Sequence, residues 1–329
     1  MCKLKHISAF LGRPIVISGM VFMLLASLLA TTPQRPRREV KVDRPTHTLT
    51  PEEERVILHG DTEPPWSGRF VNHKADGYYT CRQCDAALFR SDDKFESNCG
   101  WPGFDREIPG AVERRPDPDG MRTEVVCAAC GGHLGHVFEG EGFTPRNTRH
   151  CVNSTSMDFV PAKRVQRAVF AAGCFWGVEY YFQKIPGVLE TTVGYTGGRV
   201  QNPTYYQVCT KNSGHAEAVE VRFDPERVSF EDLTKRFFEM HDPTQVDRQG
   251  PDVGPQYRSE VFYLNQEQKE TAERLIGHLK GLGLNVATRL TPFEEFWKAE
   301  DYHQDYYNRG GGTPYCHFIT PRFDPDPES

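Results

Sequence analysis

Two patterns of hydrophobic and polar positions divide the chain into an earlier and a later part. In the earlier part, short apolar runs at 78–80 (YYT), 122–126 (RTEVV) and 135–138 (GHVF) are separated by turns rich in Gly, Pro and Asp. Such short, punctuated runs predict a mainly antiparallel β domain. A helix is predicted at its start, where 50–53 (TPEE) supplies an N-cap, a proline at the first helical position and an acid three residues on; it would reach about Leu58.

From residue 165 onward, strand-like and helix-like patterns alternate. Runs of β-branched and aromatic residues predict strands at 165–171, 191–195, 218–223, 260–264 and 285–290. Start and stop signals predict helices at 175–184, 230–241 and 266–280. This order predicts an α+β two-layer sandwich in which helices cover a mixed sheet. The length of 329 residues suits two domains, each with its own core.

The N-terminal segment carries a targeting pattern. A basic start with Lys3, Lys5 and Arg13 precedes 14–30, which is apolar and uncharged. That length fits the core of a signal peptide better than a full membrane span, although an uncleaved membrane anchor is the alternative. We therefore predict a signal peptide or membrane anchor at 1–30. An exported, periplasmic or membrane-anchored location is favoured over a cytoplasmic one, and cleavage is left open.

A linker rich in proline and arginine is predicted at 31–45, followed by the β domain at 46–161 and the α+β domain at 165–323. The net charge of -6, without a basic stripe, argues against nucleic acid as a partner. The ten cysteines are many for a chain of this size and require an explanation. The sequence has no Gly-rich phosphate-binding loop, and we expect no organic cofactor.

Two Cys-x-x-Cys pairs, Cys81/Cys84 and Cys127/Cys130, lie on predicted hairpin-like turns of the β domain. Four thiolates can surround one Zn²⁺ tetrahedrally, and this spacing lets each turn present two sulfur atoms. Export would favour the alternative of two disulfides or redox pairs. We rank that alternative lower, because a redox Cys-x-x-Cys pair normally opens a helix and neither pair does so here. The prediction is one structural zinc ion with no open coordination position.

Cys99 and Cys151 remain in the β domain, near residue types that can activate a thiol. Arg149 lies two residues before Cys151, and 131–136 (GGHLGH) contains two histidines three residues apart. A guanidinium group, an indole and imidazoles near a cysteine can supply a low thiol pKa and a source of protons. Two buried structural cysteines and a surface pair of histidines are the alternative, which composition alone leaves open.

Cys174 lies at the junction of a predicted strand and a predicted helix. Gly173 permits the tight turn between them. A thiol at a helix N-terminus is stabilised as the thiolate by the helix dipole, which predicts a lowered pKa for Cys174. Phe175 and Trp176 directly behind it would provide an apolar wall. Other polar residues that could join this site are scattered along the chain, so only the fold can assemble them.

Five segments of the β domain carry a specific resemblance: LTPEE, YYTCRQC, SNCGWPGF, GGHLGHVF and RHCVNSTSMDFVP. The region from about 49 to 161 resembles a type B methionine sulfoxide reductase. The resemblance implies that Cys151 is the nucleophile and Cys99 the resolving cysteine. It also implies a set of residues around the substrate, with Trp101 on the methyl group and His133, His136, Arg149 and Asn153 around the sulfoxide oxygen and its proton. Gly103 departs from the serine usual in this family, which removes only a hydroxyl group.

Seven segments between 170 and 318 carry a second resemblance: GCFWGVE, VGYTGG, NPTYYQVC, GHAEAVEV, DVGPQYRS, EDYHQDYY and YCHF. This region resembles a type A methionine sulfoxide reductase. The resemblance implies Cys174 as the nucleophile, Glu217 as the acid, and Cys316, in a mobile glycine-rich segment, as the resolving cysteine. The implied substrate-binding residues are Phe175 and Trp176 at the methyl group, Tyr205 and Tyr257 at the oxygen, and Asp252 at water or substrate. Pro255 departs from the usual threonine, and Cys209 is expected to be buried in the core.

Together the two resemblances imply an enzyme that reduces methionine sulfoxide in oxidised proteins and as the free amino acid. The type B domain would act on the R epimer and the type A domain on the S epimer. Each nucleophile would become a sulfenic acid, form a disulfide with its resolving cysteine, and be regenerated by a thioredoxin-type donor. Two other classes are weighed. A thiol–disulfide oxidoreductase would need neither Glu217 nor aromatic pockets, and a zinc-stabilised binding module would show no turnover.

Overall fold

The computed structural model describes residues 46–310 and 312–323. The predicted signal peptide or anchor at 1–30 and the predicted linker at 31–45 lie outside the described residues. Among the helices of the described ranges, none combines the length and the apolar composition that a membrane span requires. Within these ranges a β domain precedes an α+β domain, as predicted.

The β domain begins with the helix α1 (Pro51–Ile57), which starts, as predicted, with a complete capping box between Thr50 and Glu53. Its strands follow in chain order: β1 (Gly77–Cys81), β2 (Ala87–Arg90), β3 (Lys94–Phe95), β4 (Gly103–Phe104), β5 (Val112–Pro116), β6 (Thr123–Cys127), β7 (His133–Glu139), β8 (Thr148–Val152) and β9 (Met157–Pro161). Each pairing between them is antiparallel, which agrees with the predicted class.

Residues 46–161 form two antiparallel sheets. The larger one, here called the first sheet, has the strand order β3-β4-β8-β7-β6-β5, and the smaller one has the order β2-β1-β9. Apolar side chains of both sheets form a common core, in which Phe89 and Phe104 stack with ring centres 4.4 Å apart. Tyr79 packs edge-on against Phe104 at 4.9 Å. This core connects the cysteine-bearing turn of the small sheet to strand β8.

The α+β domain contains the helices α2 (Phe175–Phe182), α3 (Tyr205–Cys209), α4 (Phe230–Met240) and α5 (Gln266–Gly281). Its strands are β10 (Gln166–Ala172), β11 (Val188–Thr196), β12 (Ala216–Phe223), β13 (Arg248–Gln249), β14 (Asp252–Val253), β15 (Ser259–Tyr263), β16 (Arg289–Pro292) and β17 (Phe296–Lys298). β13 and β14 pair with each other, and the others form the second sheet, with the order β16-β15-β10-β12-β11-β17. This sheet is mixed, as predicted, because β15 and β16 run parallel.

Helices α2, α4 and α5 pack on the second sheet and bury one apolar core. Phe170 of β10 stacks on Phe182 of α2 and on Phe237 of α4, with ring centres 5.1 Å apart in both pairs. The predicted capping box of α4 is present, because Ser229 and Asp232 each accept the other's backbone N–H group. The arrangement is the predicted sandwich of helices on a sheet.

The strand predicted at 285–290 is displaced in the structure. β16 spans Arg289–Pro292, and 284–288 forms an irregular segment before it. β17 has no counterpart among the predicted strands. Both are short edge strands whose partners, β15 and β11, come from other parts of the chain, so the local pattern carries little information about them.

The two domains are connected by one turn at 162–164 and contact each other directly. Glu190 of β11 accepts hydrogen bonds from the Tyr78 hydroxyl at 2.5 Å and from Arg90 at 2.8 Å. Next to them, Leu189 packs against Tyr78 in a small apolar cluster. These contacts join β11 of the α+β domain to the small sheet of the β domain.

Candidate active sites

Four buried cysteines lie together at the ends of two hairpins of the β domain: Cys81, Cys84, Cys127 and Cys130. Their sulfur atoms all lie within 4.8 Å of one another, and the Cys81–Cys130 and Cys84–Cys127 distances are both 3.7 Å. A disulfide would need about 2.05 Å, so these thiols are free. A zinc ion with bonds of about 2.3 Å to tetrahedral sulfur atoms would separate them by about 3.8 Å. The cluster therefore has the donors and the spacing to hold one such ion.

Each Cys-x-x-Cys pair is presented by a turn that links two antiparallel strands. Cys81 ends β1 and Cys127 ends β6, and the N–H of each donates to the carbonyl oxygen five residues later, at 2.8 and 2.9 Å. A residue with left-handed backbone follows the second cysteine of each pair, Asp85 (φ 57°) and Gly131 (φ 78°). Neither pair opens a helix, as the sequence predicts. For that reason redox pairs rank below a metal site as the explanation of these cysteines.

Cys151 lies in the middle of the first sheet. The strand register aligns Glu124 of β6, His136 of β7, Cys151 of β8 and Gly103 of β4 in one row across the sheet. Directly opposed residues of antiparallel strands place their side chains on the same face of the sheet. This face therefore carries an acid, an imidazole and a thiol in sequence, and Gly103 adds no side chain next to the thiol.

A β-bulge between β6 and β7 turns His133 onto the same face. Regular alternation would place Leu134 and His136 on one side of the strand, but Leu134 is buried in the core. The His133 ring lies 5.5 Å from the ring of His136, and its Nδ1 lies 2.5 Å from Glu124 Oε1. The two predicted histidines therefore meet on the face that carries Cys151.

Two buried carboxylates hold these histidines, and the sequence pattern had singled out neither. Glu124 contacts His133, while Asp117 Oδ2 lies 2.5 Å from Nε2 of His136. The two acids are 4% and 2% exposed. A carboxylate at one ring nitrogen sets the orientation and the tautomer of an imidazole. One of these acids could have been found from the sequence, because Glu124 is an acid inside a predicted strand whose last residues are apolar.

Cys99 and Cys151 are neighbours, with sulfur atoms 3.6 Å apart. The hydrogen bond with Cys151, aided by one with Ser97 Oγ at 3.0 Å, lowers the pKa of Cys99 to about 5. The same hydrogen bond, together with burial, raises the pKa of Cys151, and the Arg149 guanidinium acts in the opposite direction. The two thiols therefore share one negative charge at neutral pH.

Arg149 and Trp101 both lie at the edge of this site. Arg149 donates to Glu141 at 2.7 and 2.8 Å, and its guanidinium lies 4.4 Å from the centre of the Phe138 ring. Trp101 is half-buried, and its Nε1 donates to Glu63 O at 3.0 Å. Both side chains are thereby held in place before a substrate arrives.

Asn153 is buried and uses both ends of its amide on the backbone. Its Nδ2 donates to Leu134 O at 3.0 Å, and its Oδ1 accepts from Glu63 N at 3.1 Å. The buried carboxylate of Glu63 in turn accepts the N–H groups of Ser154 and Thr155 at 2.6 and 2.9 Å. These bonds hold the backbone that follows β8, and Glu63 is a residue that the sequence pattern does not reveal. The contact of Asn153 with substrate stays a prediction.

In the α+β domain, Cys174 begins α2, as the sequence predicts. β10 ends at Ala172, Gly173 takes a left-handed backbone (φ 95°), and Cys174 is the N-cap residue of the helix. A side chain at Gly173 would also meet Gln249. The strand, the glycine and the helix therefore place a buried thiol at a helix N-terminus.

Cys174 has two further donors next to it. Its sulfur, the sulfur of Cys316 and a carboxylate oxygen of Asp252 all lie within 4.8 Å of one another. The hydrogen bond with Cys316, and then burial, raise the pKa of Cys174, while the same bond lowers the pKa of Cys316. The backbone N–H of Trp176 acts in the predicted direction but is outweighed. The predicted low pKa of Cys174 is therefore wrong for the paired thiols, because the lowered pKa belongs to Cys316.

Glu217 lies near this thiol pair and is 2% exposed. One of its carboxylate oxygens accepts the N–H of Phe175 at 3.1 Å. Burial, followed by the charge of Cys174, raises the pKa of Glu217 well above its usual range. At neutral pH this side chain is therefore a neutral acid that can donate a proton. Burial and then the charge of Glu217 also raise the pKa of Tyr205 and of Tyr257, so both keep their hydroxyl hydrogens.

An aromatic wall stands at the start of α2. Trp176 stacks on Tyr306 with ring centres 3.9 Å apart, and its Nε1 donates to His303 Nδ1 at 3.2 Å. The His303 ring also packs against Tyr205 at 4.5 Å and against Phe175 at 5.1 Å. His303 and Tyr306 lie in the EDYHQDYY segment, to which the sequence pattern assigns no role.

Comparisons with known proteins identify the two domains. Residues 49–161 match the family model described as SelR domain, and residues 166–325 match the model described as peptide methionine sulfoxide reductase. A relative from Nautilia profundicola, peptide methionine sulfoxide reductase MsrA, is 51% identical over 153 residues, which are 46% of this chain and 88% of the relative. The chain belongs to the peptide methionine sulfoxide reductase family.

Two further relatives and one solved structure are also similar to parts of this reductase. Peptide methionine sulfoxide reductase MsrA from Thermus thermophilus is 51% identical over 153 residues, 46% of this chain and 87% of the relative. The enzyme of that name from Methanosarcina mazei is 52% identical over 154 residues, 46% of this chain and 73% of the relative. The solved structure of reduced Mxr1 from Saccharomyces cerevisiae is 31% identical, covers 48% of this chain and 93% of that chain, and has a TM-score of 0.46.

This methionine sulfoxide reductase joins two activities in one chain. Its first domain is of type B, which reduces the R epimer, and its second domain is of type A, which reduces the S epimer. Methionine sulfoxide is chiral at sulfur, so one enzyme is needed for each epimer. The fused reductase therefore acts on both epimers and serves the repair of oxidised proteins.

The segment that carries Cys316 is docked onto the type A domain of the reductase. His317 Nδ1 lies 3.1 Å from Cys316 Sγ, and its Nε2 lies 2.8 Å from Ala172 O. Gly177 of α2 leaves room for this ring, since a Cβ atom there would collide with it. The glycine and the histidine together hold Cys316 close to Cys174.

Cys209 takes no part in either thiol pair of the reductase. It lies at the C-terminal end of α3 and is half-buried, while Tyr206, Gln207 and Thr210 around it are exposed. The prediction of a buried core position is wrong, because the short helix α3 presents this end to solvent.

Proposed function

We propose that the reductase works through two independent thiol pairs, Cys174 with Cys316 for the S epimer and Cys151 with Cys99 for the R epimer. The observation that carries this proposal is that each pair has adjacent sulfur atoms and its own proton-donating groups. The two pairs lie in separate domains with separate cores. Neither site needs the other to complete its chemistry.

In the type A domain, the side chains around Cys174 would orient the S epimer by its methyl group and its oxygen. The residues that would do so are Phe175 and Trp176 at the methyl group, Glu217, Tyr205 and Tyr257 at the oxygen, and Asp252 next to both thiols. The raised pKa of Glu217 supports its role as the acid, since the carboxyl group must arrive protonated. The hydroxyl groups of the two tyrosines are neutral and can only add hydrogen bonds.

The reaction at this site would proceed in two steps. The Cys174 thiolate attacks the sulfur of the sulfoxide and forms an S–S bond while Glu217 protonates the oxygen. The protonated oxygen then passes to the Cys174 sulfur as the S–O bond of the substrate and the S–S bond break, so methionine leaves and Cys174 becomes the sulfenic acid. The Cys316 thiol then attacks the sulfenic sulfur, which forms the disulfide and releases water. The docked position of Cys316 places it close enough for this second step.

In the type B domain, Cys151 would attack the R epimer while Trp101 packs on the methyl group. His133 and His136, each held by a buried carboxylate, would orient and protonate the oxygen. Arg149 lowers the pKa of Cys151 by its charge and would hold the thiolate when substrate displaces the neighbouring thiol. That thiol, 3.6 Å away, would then close the disulfide.

The four-cysteine cluster would hold one structural zinc ion. Its support is the sulfur spacing of 3.7 Å, which matches tetrahedral thiolate ligands, and the absence of a further position for substrate once four sulfurs bind. Cys81 and Cys84 belong to a hairpin of the small sheet, whereas Cys127 and Cys130 belong to a hairpin of the first sheet. The ion would therefore join the two sheets and contribute to folding, with no part in the reaction.

A dithiol donor of the thioredoxin type would regenerate both disulfides. The nine cysteines of the described residues comprise the four-cysteine cluster, the two pairs and Cys209. That set offers no further thiol pair, so the reducing equivalents must come from another molecule. The basic and apolar leader supports export of the enzyme, and anchoring in the membrane through 14–30 is the alternative to cleavage of the leader. The substrates would be oxidised proteins and free methionine sulfoxide.

Peptide mapping after a single turnover tests the assigned pairs. The reduced chain is incubated with one epimer in the absence of reductant, alkylated and digested. The S epimer should give the disulfide Cys174–Cys316 alone, and the R epimer the disulfide Cys99–Cys151 alone. A disulfide that joins the two domains, or both disulfides after one epimer, would contradict the proposal.

A further inference from the structure

We propose that the reduced type A site binds one thiophilic divalent cation, of the Zn²⁺ class, through Cys174, Cys316 and Asp252. These three residues, here called the S-site cluster, bring two sulfur atoms and a carboxylate oxygen within 4.8 Å of one another. In the part of the chain that the structure describes, only the four-cysteine cluster and this one unite three or more such donors at that spacing. The ion would compete with methionine sulfoxide, so the inference rests on the proposed function of these thiols.

The donors of the S-site cluster suit a soft cation. Zinc accepts two thiolates and a carboxylate as ligands and would keep its fourth tetrahedral position for water. Bonds of about 2.0 to 2.3 Å place tetrahedral donors roughly 3.4 to 3.8 Å apart, so a separation of up to 4.8 Å closes with side-chain movements of about 1 Å. Oδ2 of Asp252 is buried and has no hydrogen-bond partner among the described residues, so it can accept a cation.

Among the described residues, no lysine or arginine forms a hydrogen bond or an ion pair with these two thiols. His317 Nδ1 lies 3.1 Å from Cys316 Sγ, and the other ring nitrogen, Nε2, lies 2.8 Å from Ala172 O. Asp252 places a carboxylate oxygen within 4.8 Å of both sulfur atoms. If both thiols lost their protons, two thiolates and a carboxylate so close together would repel one another, and a divalent cation would offset that repulsion.

The type B pair provides a comparison within the same chain. Cys99 and Cys151 are also adjacent, at 3.6 Å. The charged group that lowers the pKa of both is the guanidinium of Arg149, whose partner Glu141 already accepts two hydrogen bonds from it. A guanidinium stabilises the thiolate without a metal and repels a second cation. We expect the type B pair to bind zinc at least tenfold more weakly than the S-site cluster.

Metal binding and catalysis would exclude each other at the S-site cluster. The ion takes both sulfur atoms as thiolates and displaces their protons, so neither sulfur can attack a sulfoxide. Oxidation of the pair to a disulfide removes both thiolate ligands and would release the ion. One turnover with the S epimer and without reductant should therefore convert the site from its zinc-binding form to a form that does not bind zinc.

The experiment counts zinc bound per full-length chain by equilibrium dialysis in anaerobic, thiol-free buffer. The reduced chain is compared with chain oxidised by one turnover with the S epimer and with chain oxidised by the R epimer. The reduced and the R-oxidised chains should bind one zinc ion more than the S-oxidised chain. Retention of the extra ion after S oxidation, or its loss after R oxidation only, would overturn the proposal.

A thiol count in each arm separates this result from a failure of the proposed function. The S-oxidised chain should have lost two titratable thiols. If no thiols are lost, the assigned reaction is contradicted. The metal proposal is then decided only by the affinity of the reduced chain for zinc. That decision rests on Asp252→Asn, which keeps both thiols and the side-chain volume but removes the anionic ligand.

Asp252→Asn should weaken binding of the extra zinc ion at least tenfold in the reduced chain. The control is Asp247→Asn, a change of an acid in the same region that bonds to Arg289 outside the cluster, and it should leave the affinity within twofold. The zinc of the four-cysteine cluster should stay bound in both variants. Equal affinity in Asp252→Asn and in the parent chain, or no extra ion in the reduced parent, would rule out the three-ligand site.

Discussion

Glu179 lies in α2, five residues after Cys174, and is 1% exposed. One of its carboxylate oxygens accepts the N–H of Asp305 at 2.8 Å, and the other accepts the Thr191 hydroxyl at 3.3 Å. Burial, and then the nearby Asp305 carboxylate, raise the pKa of Glu179 to about 8, against the opposing effect of those hydrogen bonds and of Arg309. The folded protein therefore keeps Glu179 protonated at pH values where an exposed glutamate is ionised.

This raised pKa makes stability depend on pH in one direction. The contribution of protonated Glu179 is fully present below about pH 4.5 and is lost as the pH rises through about 8. In that interval the folded state holds a proton that the unfolded state has released. The free energy of unfolding therefore falls by about 1.4 kcal/mol per pH unit, or about 2.5 kcal/mol from pH 5 to pH 7.

Glu179→Gln removes this dependence, because an amide stays neutral and can still accept the Asp305 N–H. Urea unfolding at pH 5 and at pH 7 measures the effect, with hydrogen exchange in 175–182 as the report on the type A domain. The free energy of unfolding of the variant, minus that of the parent, should be about 2.5 kcal/mol larger at pH 7 than at pH 5. Glu267→Gln, a change of an exposed glutamate on α5, should shift by less than about 0.5 kcal/mol. The reasoning would be refuted if the difference in free energy of unfolding between Glu179→Gln and the parent were the same at both pH values.

Three further predictions concern the two sites and the cysteine cluster. Glu217→Gln should lower S-epimer turnover by about 10²- to 10⁴-fold, because the acid is lost, and should leave R-epimer turnover unchanged; a loss below tenfold would argue against its role. Cys81→Ser should release one zinc ion, measured by metal analysis, and unfold the type B domain, whereas a folded, zinc-free domain would contradict the structural site. Gly177→Ala should push away the His317 ring and with it Cys316, so that the first turnover with the S epimer persists while later turnovers slow at least tenfold; equal burst and steady-state rates with the parent would contradict this.

Much of the fold could be predicted where the signal is local. The turn at Gly173 and the helix that begins after Cys174 follow from a short stretch of sequence, as do the capping boxes of α1 and α4. The Cys-x-x-Cys turns are equally local, because each pair of sulfur atoms is set by one hairpin. The edge strands β16 and β17 lack such a signal, since distant partners create them.

The partners of the site residues could not be predicted for a related reason. Asp117 and Glu124 reach the two histidines only through strand pairing and a β-bulge, and Glu63 meets the chain after β8 across 90 residues. The backbone N–H at the start of α2 lowers the pKa of Cys174, as the sequence predicts, but the contact with Cys316 raises it by a larger amount, and that contact required the position of a segment far along the chain. The local sequence therefore indicates how the helix N-terminus changes the pKa of Cys174, whereas the larger change, caused by Cys316, depends on the fold.

The central claim, that two separate nucleophiles each serve one epimer, is tested most directly by the turnover of each pure epimer in Cys174→Ser and in Cys151→Ser, with dithiothreitol as reductant. The hydroxyl group of serine is a far weaker nucleophile than a thiolate, so each change should abolish its own reaction. Cys174→Ser should lose S-epimer turnover and keep R-epimer turnover within about twofold, and Cys151→Ser should do the reverse. Loss of both activities in either variant, or survival of the S activity without Cys174, would contradict the account.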